Sequence, residues 1–129
     1  MKGMKIGIDF GTSSLKIYAE GKGIVVDEPS IVAVEIETGR PIAFGRAADA
    51  VYGRNGDDIK IVKVIRNGVI SDFVMAERML RYYLQRVCGN RIYKPNIILS
   101  LSYCFIESHF LFSNTESVIS NICSKKCAS

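Results

Sequence analysis

The sequence of 129 residues lacks several features that would each indicate a class of protein. It contains no run of about 18 apolar residues, which a transmembrane helix requires. Residues 1–5 lead directly into a strand-like segment, without the apolar core of a signal peptide. It also lacks a cluster of basic residues, although 17 Lys and Arg against 13 Asp and Glu give a net charge of +4. We therefore expect a cytoplasmic protein that does not bind nucleic acid.

The cysteines form no Cys-x-x-Cys pair, and this absence argues against a standard zinc motif. Three of the four, Cys104, Cys123 and Cys127, lie near the C-terminus together with His109, the single histidine. These four residues are enough in number for a zinc site, but their spacing fits no standard finger or ribbon. We favour simple thiols over a zinc site.

Residues 1–101 have the patterning of an α/β unit. Hydrophobic residues make up 48% of the whole sequence and charged residues 23%, which is ordinary for a globular domain. A short helix is predicted over residues 46–52, with Gly53 ending it, and residues 11–14 form a turn that joins the first two strands in a hairpin. Strands are predicted at residues 5–10, 15–19, 24–26, 31–36, 42–44, 59–65 and 96–99.

A longer helix is strongly indicated after residue 70. Asp72, or Ser71 before it, is suited to cap the helix because its side chain can accept a hydrogen bond from an unpaired backbone N–H group. Gly89 provides a C-terminal stop. Between these residues the apolar positions have helical spacing, and they are Ala76, Met79, Leu80, Tyr83, Leu84 and Val87.

The pattern changes after Leu101. Residues 102–129 contain seven serines, three of the four cysteines and only four charged residues. The segment is either a poorly structured native tail or the product of a changed reading frame, and we favour the second interpretation. We therefore divide the chain into a folded unit at 1–101 and an atypical tail at 102–129.

A turn rich in glycine and hydroxyl groups follows the first predicted strand. Gly11 is followed by Thr12, Ser13 and Ser14. Glycine lets the backbone approach an anion closely, and the N–H groups of such a turn can point together at phosphate oxygens. The three hydroxyl groups can add donors. The turn therefore predicts a phosphate-binding hairpin, although it does not match the Gly-x-x-x-x-Gly-Lys-Ser/Thr pattern of a P-loop.

Two charged residues flank this turn. Lys16 can place a positive charge beside a bound phosphate. Asp9 can hold a hydrated Mg²⁺, because this ion prefers carboxylate oxygen and retains its water. The residues alone leave open an ordinary tight hairpin, in which Asp and Ser side chains satisfy turn amides and Lys16 is a solvated lysine.

Residues 6–12, Ile-Gly-Ile-Asp-Phe-Gly-Thr, resemble the first phosphate loop of the superfamily of actin, sugar kinases and DnaK-type chaperones. Further segments are similar to bacterial rod-shape-determining proteins of the MreB type. The resemblance covers about residues 4–101 and is specific to that family. These segments lie at residues 21–33, 38–39, 44–45, 53–54, 67–73, 79–83 and 94–95.

The resemblance implies an α/β fold that is part of the first lobe of an actin-like (ribonuclease H-like) fold, a mixed sheet with flanking helices. It implies ATP and Mg²⁺ as cofactors, bound between two lobes. By position, Asp9, Gly11 and Thr12 match the phosphate and metal loop, and the two serines that follow match more loosely. Lys16 departs from the pattern, because MreB-type proteins usually carry an apolar or hydroxyl residue there, whereas actin carries lysine.

The resemblance also implies a membrane contact. Ile92 and Tyr93 stand where the family often has an apolar pair that enters the membrane. An aromatic residue beside an aliphatic one, flanked by Arg91 and Lys94, suits an interface with anionic lipid. The alternative is that this loop packs against the preceding helix. With the contact, the protein would be peripheral to the inner face of the cytoplasmic membrane.

The resemblance weakens beyond Leu101. The family continues with a Pro-Ser-Gly turn and a helix whose second glutamate is thought to orient the attacking water. Here only Glu107 matches, and His109 stands in the position of that glutamate. We therefore expect that this chain does not hydrolyse ATP alone and binds it weakly.

Two hypotheses for function follow. In the first, the chain is a truncated or frame-shifted N-terminal fragment of an MreB-like cytoskeletal protein of cell-shape determination, lacking the second lobe. Its implied partners are itself or full-length filaments, the membrane and the cell-wall synthesis machinery. In the alternative, it is a short interaction protein that docks on or caps filaments of a full-length relative. A kinase-like or chaperone-like phosphate binder is disfavoured by the segments at 28–30 and 67–70.

Overall fold

A computed structural model describes residues 5–89, 96–101 and 104–109, with the backbone alone at residues 55, 101 and 104–109. The predicted α/β class is confirmed, and most strands lie where the sequence pattern places them. The elements are β1 (Lys5–Phe10), β2 (Ser14–Ala19), β3 (Gly23–Pro29), β4 (Ile31–Glu35), β5 (Pro41–Phe44), α1 (Arg46–Asn55), β6 (Ile59–Lys63), β7 (Ile65–Arg66), β8 (Val69–Ile70), α2 (Phe73–Cys88), β9 (Asn96–Leu101) and β10 (Cys104–His109).

The larger sheet is mixed, with strand order β10-β9-β1-β2-β3. Strand β1 pairs antiparallel with β2, as the predicted hairpin requires, and parallel with β9. Strand β10 pairs antiparallel with β9, so the sheet continues past residue 101. The sequence pattern does not predict β10, because the apolar residues after 101 show no alternation.

One face of this sheet forms the main core with α2. Side chains alternate between the two faces of a strand, so residues two apart in β1 and β2 point to the same side. Helix α2 contributes the predicted apolar stripe, except that Val87 is only half-buried. The opposite face leaves Tyr18, Ile24 and Ile98 exposed. The buried residues of the first two strands are Ile6, Ile8, Phe10, Leu15, Ile17 and Ala19.

A smaller sheet, with strand order β5-β4-β6, packs against α1. This helix runs through Gly53 to Asn55, so the predicted stop at Gly53 is wrong. Glycine inside a helix costs about 1 kcal/mol relative to alanine. Burial of Ala48 and Val51 against the smaller sheet compensates for this cost, and tertiary packing thereby outweighs the local preference.

The segment predicted as one strand at residues 59–65 is divided. Strand β6 pairs with β4, whereas β7 pairs with β8 in a separate hairpin. Val64 lies between them with its side chain fully buried, and its N–H donates to the Ser30 carbonyl at 3.2 Å. The strand-like pattern of residues 59–65 does not reveal this change of partner, because apolar residues and lysines continue through the whole segment.

The N-terminus of α2 is capped as predicted. The Asp72 carboxylate accepts a hydrogen bond from the Met75 N–H at 3.1 Å, and the Gly89 N–H donates to the Gln85 carbonyl at the other end. Ser71 instead donates its hydroxyl to the Lys63 carbonyl. Asp72, and not Ser71, is therefore the cap.

Replacing Asp72 by alanine should lower the free energy of unfolding by about 1 kcal/mol, because one N–H group of the first turn loses its acceptor. Urea unfolding followed by circular dichroism measures the change. Asp72→Ser should retain most of the stability, since serine also caps well. Equal losses in both variants would show that the cap hydrogen bond is not the source of the effect.

Candidate functional site

The predicted phosphate-binding turn joins β1 to β2. The Gly11 N–H donates to the Ser14 carbonyl at 2.9 Å, which closes the turn. Thr12 and Ser13 are exposed at its tip, and in the described part of the chain their N–H groups have no acceptor. A Cβ at Gly11 would lie 3.3 Å from the Ser14 carbonyl oxygen, so glycine suits this tight bend. The turn therefore presents exposed donors on a closed backbone.

Ser30 supports this turn from the protein interior through two hydrogen bonds. It lies between β3 and β4 and is 1% exposed. Its hydroxyl donates to the Gly11 carbonyl at 2.7 Å, and its N–H donates to the Ser13 carbonyl at 3.2 Å. Two carbonyls of the turn are thereby fixed by one buried residue. This arrangement orients the turn so that its N–H groups point away from the protein interior.

A second loop fixes the turn from the side. The Thr12 hydroxyl accepts a hydrogen bond from the Gly68 N–H at 2.9 Å. Gly68 and Asn67 form the tip of the β7–β8 hairpin, with φ values of 73° and 53°. Positive φ at both central residues is the requirement of a type I′ turn, which Asn-Gly favours. The Thr12 hydroxyl can therefore still donate its proton to a ligand, although its oxygen already accepts the hydrogen bond from the Gly68 N–H.

The two predicted charged residues face each other across the hairpin. Asp9 and Lys16 are cross-strand partners, both exposed, on the sheet face opposite α2. Asp9 is also the partner of Ser100 on the parallel strand β9. All three residues line an open cavity of about 370 Å³, which residues 11–14 do not line. The structure therefore brings Asp9 and Lys16 together in one cavity, whereas the turn at residues 11–14 does not line that cavity.

This arrangement provides complementary groups for a phosphate ester and a hydrated cation. Carboxyl ends of parallel strands are the common place for ligands in α/β sheets, and Asp9 and Ser100 lie at such ends. In the described residues no three Asp, Glu, His or Cys side chains converge on a metal site. A metal at Asp9 would therefore keep most of its water, as Mg²⁺ commonly does.

Four residues that support or line this region were not assigned to the site from the sequence. Ser30 lies in a family-like segment, but only the passage of the chain from β3 to β4 beneath the turn shows that it binds the turn. Ser100 depends on the register between β1 and β9, which local pattern does not give. The Asn67-Gly68 dipeptide is a recognisable hairpin signal, and it would have identified the supporting loop.

The remaining sequence-based sites lie outside the described residues. Ile92 and Tyr93, the expected membrane contact, belong to this group, as do Cys123 and Cys127 of the alternative zinc site. At Cys104 and His109 only the backbone is described. No helix in the described part of the chain is long and apolar enough to cross a membrane.

Several known proteins are similar to this chain. The sequence profile of the MreB/Mbl protein family matches residues 3–107. The chain is 39% identical over 95 residues to the cell shape-determining protein Mbl of Bacillus cereus, covering 73% of this chain and 28% of that protein. It is 36% identical over 95 residues to the cell shape-determining protein MreB of Escherichia coli, covering 70% and 27%. The chain thus spans little more than a quarter of the curated relatives it matches.

Solved structures show the same fold. MreB5 of Spiroplasma citri bound to ADP aligns with a TM-score of 0.69 and 26% identity, covering 95% of this chain and 35% of that one. The MamK double helical filament aligns with a TM-score of 0.64 and 16% identity, covering 78% and 33%, and supports the fold alone. The fold is therefore a partial actin-like lobe, and the chain belongs to the MreB/Mbl protein family.

Proposed function

We propose that this chain provides the first phosphate-binding hairpin of an MreB-type, actin-like nucleotide-binding protein that acts in cell-shape determination. The observation that supports this most is the exposed turn at residues 11–14, held by Ser30 and Gly68 beside the Asp9–Lys16 pair. ATP and Mg²⁺ are the proposed cofactors. The MreB5 structures bound to ADP and to AMPPNP support a nucleotide in this family.

The roles of the residues follow from their chemistry. The N–H groups of Thr12 and Ser13 would bind phosphate oxygens, since a turn of exposed N–H groups attracts anions. The Ser13 hydroxyl would add a donor. Lys16 would offset phosphate charge, and Asp9 would hold Mg²⁺ through water. Bound Mg²⁺ would neutralise charge on the phosphates.

Hydrogen bonds within and below the turn define the shape of the proposed phosphate site at residues 11–14. The Ser14 carbonyl accepts the Gly11 N–H, and the Gly11 carbonyl accepts the Ser30 hydroxyl, so neither carbonyl competes with phosphate for the exposed donors. Phosphoryl transfer depends on groups positioned around the whole phosphate chain. We therefore propose that this chain alone binds nucleotide weakly and does not turn it over.

A nuclear magnetic resonance titration of the full chain tests this proposal. ATP with Mg²⁺ should shift the amide signals of residues 11–14 and bind more tightly than AMP, because AMP lacks the charge that the turn recognises. Lys16→Ala should weaken ATP binding about fivefold, or about 1 kcal/mol. Asp9→Asn should remove the dependence on Mg²⁺.

Lys60→Ala provides the control, because Lys60 is an exposed lysine on β6 of the smaller sheet. It should leave the ATP affinity unchanged. Equal binding of AMP and ATP, or equal losses in Lys16→Ala and Lys60→Ala, would show that the hairpin is not a phosphate site.

The assembly roles of the family extend the proposal. We propose that the chain associates with itself or with filaments of a full-length relative, and the actin-like fold it shares with the MamK filament supports this. A cytoplasmic location, contact of Ile92 and Tyr93 with the inner membrane, and action with the cell-wall synthesis machinery belong to the same proposal.

A further inference from the structure

The larger sheet ends at β3, whose outer edge is not paired within the described part of the chain. Strand β3 pairs with β2 on one side only. An open edge presents backbone N–H and C=O groups in the spacing of a sheet, and a further extended segment can pair with them. The register shift between Ile17 and Tyr18 bends this strand pair but leaves residues 23–29 in strand conformation.

A groove runs along this open edge. One wall is β3, and the other is the C-terminal half of α2, with Tyr83, Arg86 and Val87. Lys22 and Arg46 also line it, and the enclosed volume is about 530 Å³. A groove between an edge strand and a helix is the geometry in which extended peptides add to a sheet, with backbone hydrogen bonds on one side and side-chain pockets on the other.

The groove contains positive charge that the fold does not neutralise. Of its acidic residues, Glu28 already accepts the Arg46 N–H at 2.9 Å and lies 3.8 Å from the Arg46 guanidinium. Asp27 also lines the groove and is the cross-strand partner of Lys16, so three basic residues stand against two acidic ones in the lining. Lys22 and Arg86 are exposed, so the groove favours acidic side chains.

The helix wall of the groove presents a cation held over an aromatic ring and a neutral hydroxyl group. The Arg86 guanidinium lies 4.6 Å from the centre of the Tyr82 ring, which holds this cation over the helix surface. Burial, with a smaller contribution from the Glu28 carboxylate, raises the pKa of Tyr83 to about 12, so its hydroxyl stays neutral. Half-buried Val87 adds apolar surface on this side, and Ile24 of β3, which also lines the groove, is exposed on the opposite face of the sheet.

We propose that this groove binds an extended peptide segment of a partner protein in which acidic and apolar residues alternate. The segment adds a strand to the outer edge of β3, so its alternate side chains point to opposite faces of the sheet. Its acidic side chains meet Arg86 on the α2 side and Lys22 at the start of β3, and its apolar side chains contact exposed Ile24 on the other face. The groove lies on the α2 side of β3, whereas the Asp9 cavity lies on the opposite face of the sheet, and Ile24 lines both. The proposed peptide contacts do not involve Asp9 or Lys16, so we expect the peptide to bind without nucleotide.

The probe is a fluorescently labelled ten-residue peptide of alternating glutamate and valine, added to the full chain without nucleotide. Fluorescence anisotropy should show saturable binding, and a peptide with lysine in place of glutamate should bind at least about tenfold more weakly. A peptide methylated on alternate backbone nitrogens should lose binding, because it cannot complete the strand. Amides of β3 should become protected from hydrogen exchange.

Variants of the two exposed arginines of α2 provide the matched comparison. Arg86→Glu should weaken binding of the glutamate–valine peptide about tenfold, since it places like charge in the groove. Arg78→Glu makes the same change at an exposed position of α2 that does not line the groove, and should leave binding unchanged. Equal effects of the two variants, equal binding of the lysine or methylated peptides, absence of saturable binding, or dimerisation through β3 that the peptide does not displace would each overturn the proposal.

Discussion

Replacing Gly45 by alanine is expected to lower the free energy of unfolding by about 3 kcal/mol. Gly45 has φ 64° and ψ −137°, a conformation that costs about 1–3 kcal/mol for residues with a side chain. A Cβ there would also collide with the Tyr83 hydroxyl and lie 2.7 Å from Glu28 Oε2. The strained backbone conformation and the close contacts both arise from the added Cβ, so a single substitution incurs both costs.

The position matters because Gly45 joins three parts of the fold. Its N–H donates to the Ile31 carbonyl, and its carbonyl accepts the Ala48 N–H at the start of α1. A displaced Glu28 would also release the Arg46 N–H that it accepts. For a domain of this size a loss of 3 kcal/mol lowers the Tm by about 10–20 °C, which thermal unfolding followed by circular dichroism measures.

Gly53→Ala is the matched control. Gly53 lies inside α1, and a Cβ there would meet nothing within 4 Å. Alanine is the better helix former by about 1 kcal/mol, so this variant should be more stable than the wild type. If both variants changed the Tm in the same direction, the special backbone conformation at Gly45 would not be required by the fold.

Ser30→Ala is expected to lower the free energy of unfolding by about 2 kcal/mol and to loosen the turn at residues 11–14. The change removes the donor to the Gly11 carbonyl from a buried position, and an unsatisfied buried acceptor costs about 1–3 kcal/mol. Urea unfolding gives the loss of stability. Faster hydrogen exchange of the Gly11 amide would report the loosened turn directly.

Ser71→Ala is the control that shows whether the burial of Ser30, and not the loss of a hydroxyl group alone, causes the effect of Ser30→Ala. Ser71 also donates its hydroxyl to a backbone carbonyl, that of Lys63, but at an exposed position where water can replace it. Its loss should cost less than about 1 kcal/mol. Ser30→Ala should in addition weaken ATP binding, whereas Ser71→Ala should not. Equal stability losses would show that burial of Ser30 does not determine its role.

Local pattern predicted the elements in which one face is buried. The alternation in β1 and β2, and the Gly-Thr turn between them, predicted the hairpin that the structure shows. The apolar stripe and Asp72 predicted α2 with its cap. These features succeed because each depends on neighbours within a few residues along the chain.

Prediction failed where distant contacts outweighed local preference. Gly53 continues α1 because the helix packs on the smaller sheet. The apolar run at 59–65 changes partner at Val64, and β10 forms by pairing with β9 without an alternating pattern. In each case, contacts with segments that are distant in the sequence stabilise a structure that the residues of the segment do not predict by themselves.

The sequence by itself indicated the family through its resemblance, and it predicted the first hairpin with Asp9 and Lys16 on its two strands, because a hairpin depends on residue type and close spacing. Only the tertiary structure determined what supports and surrounds them. Ser30 lies 19 residues from Gly11, and Gly68 lies 56 residues from Thr12, yet both bind the turn. The groove along β3 likewise exists only because α2 packs beside that edge. Hydrogen bonds and burial between distant segments depend on the folded path of the chain, which no local pattern specifies.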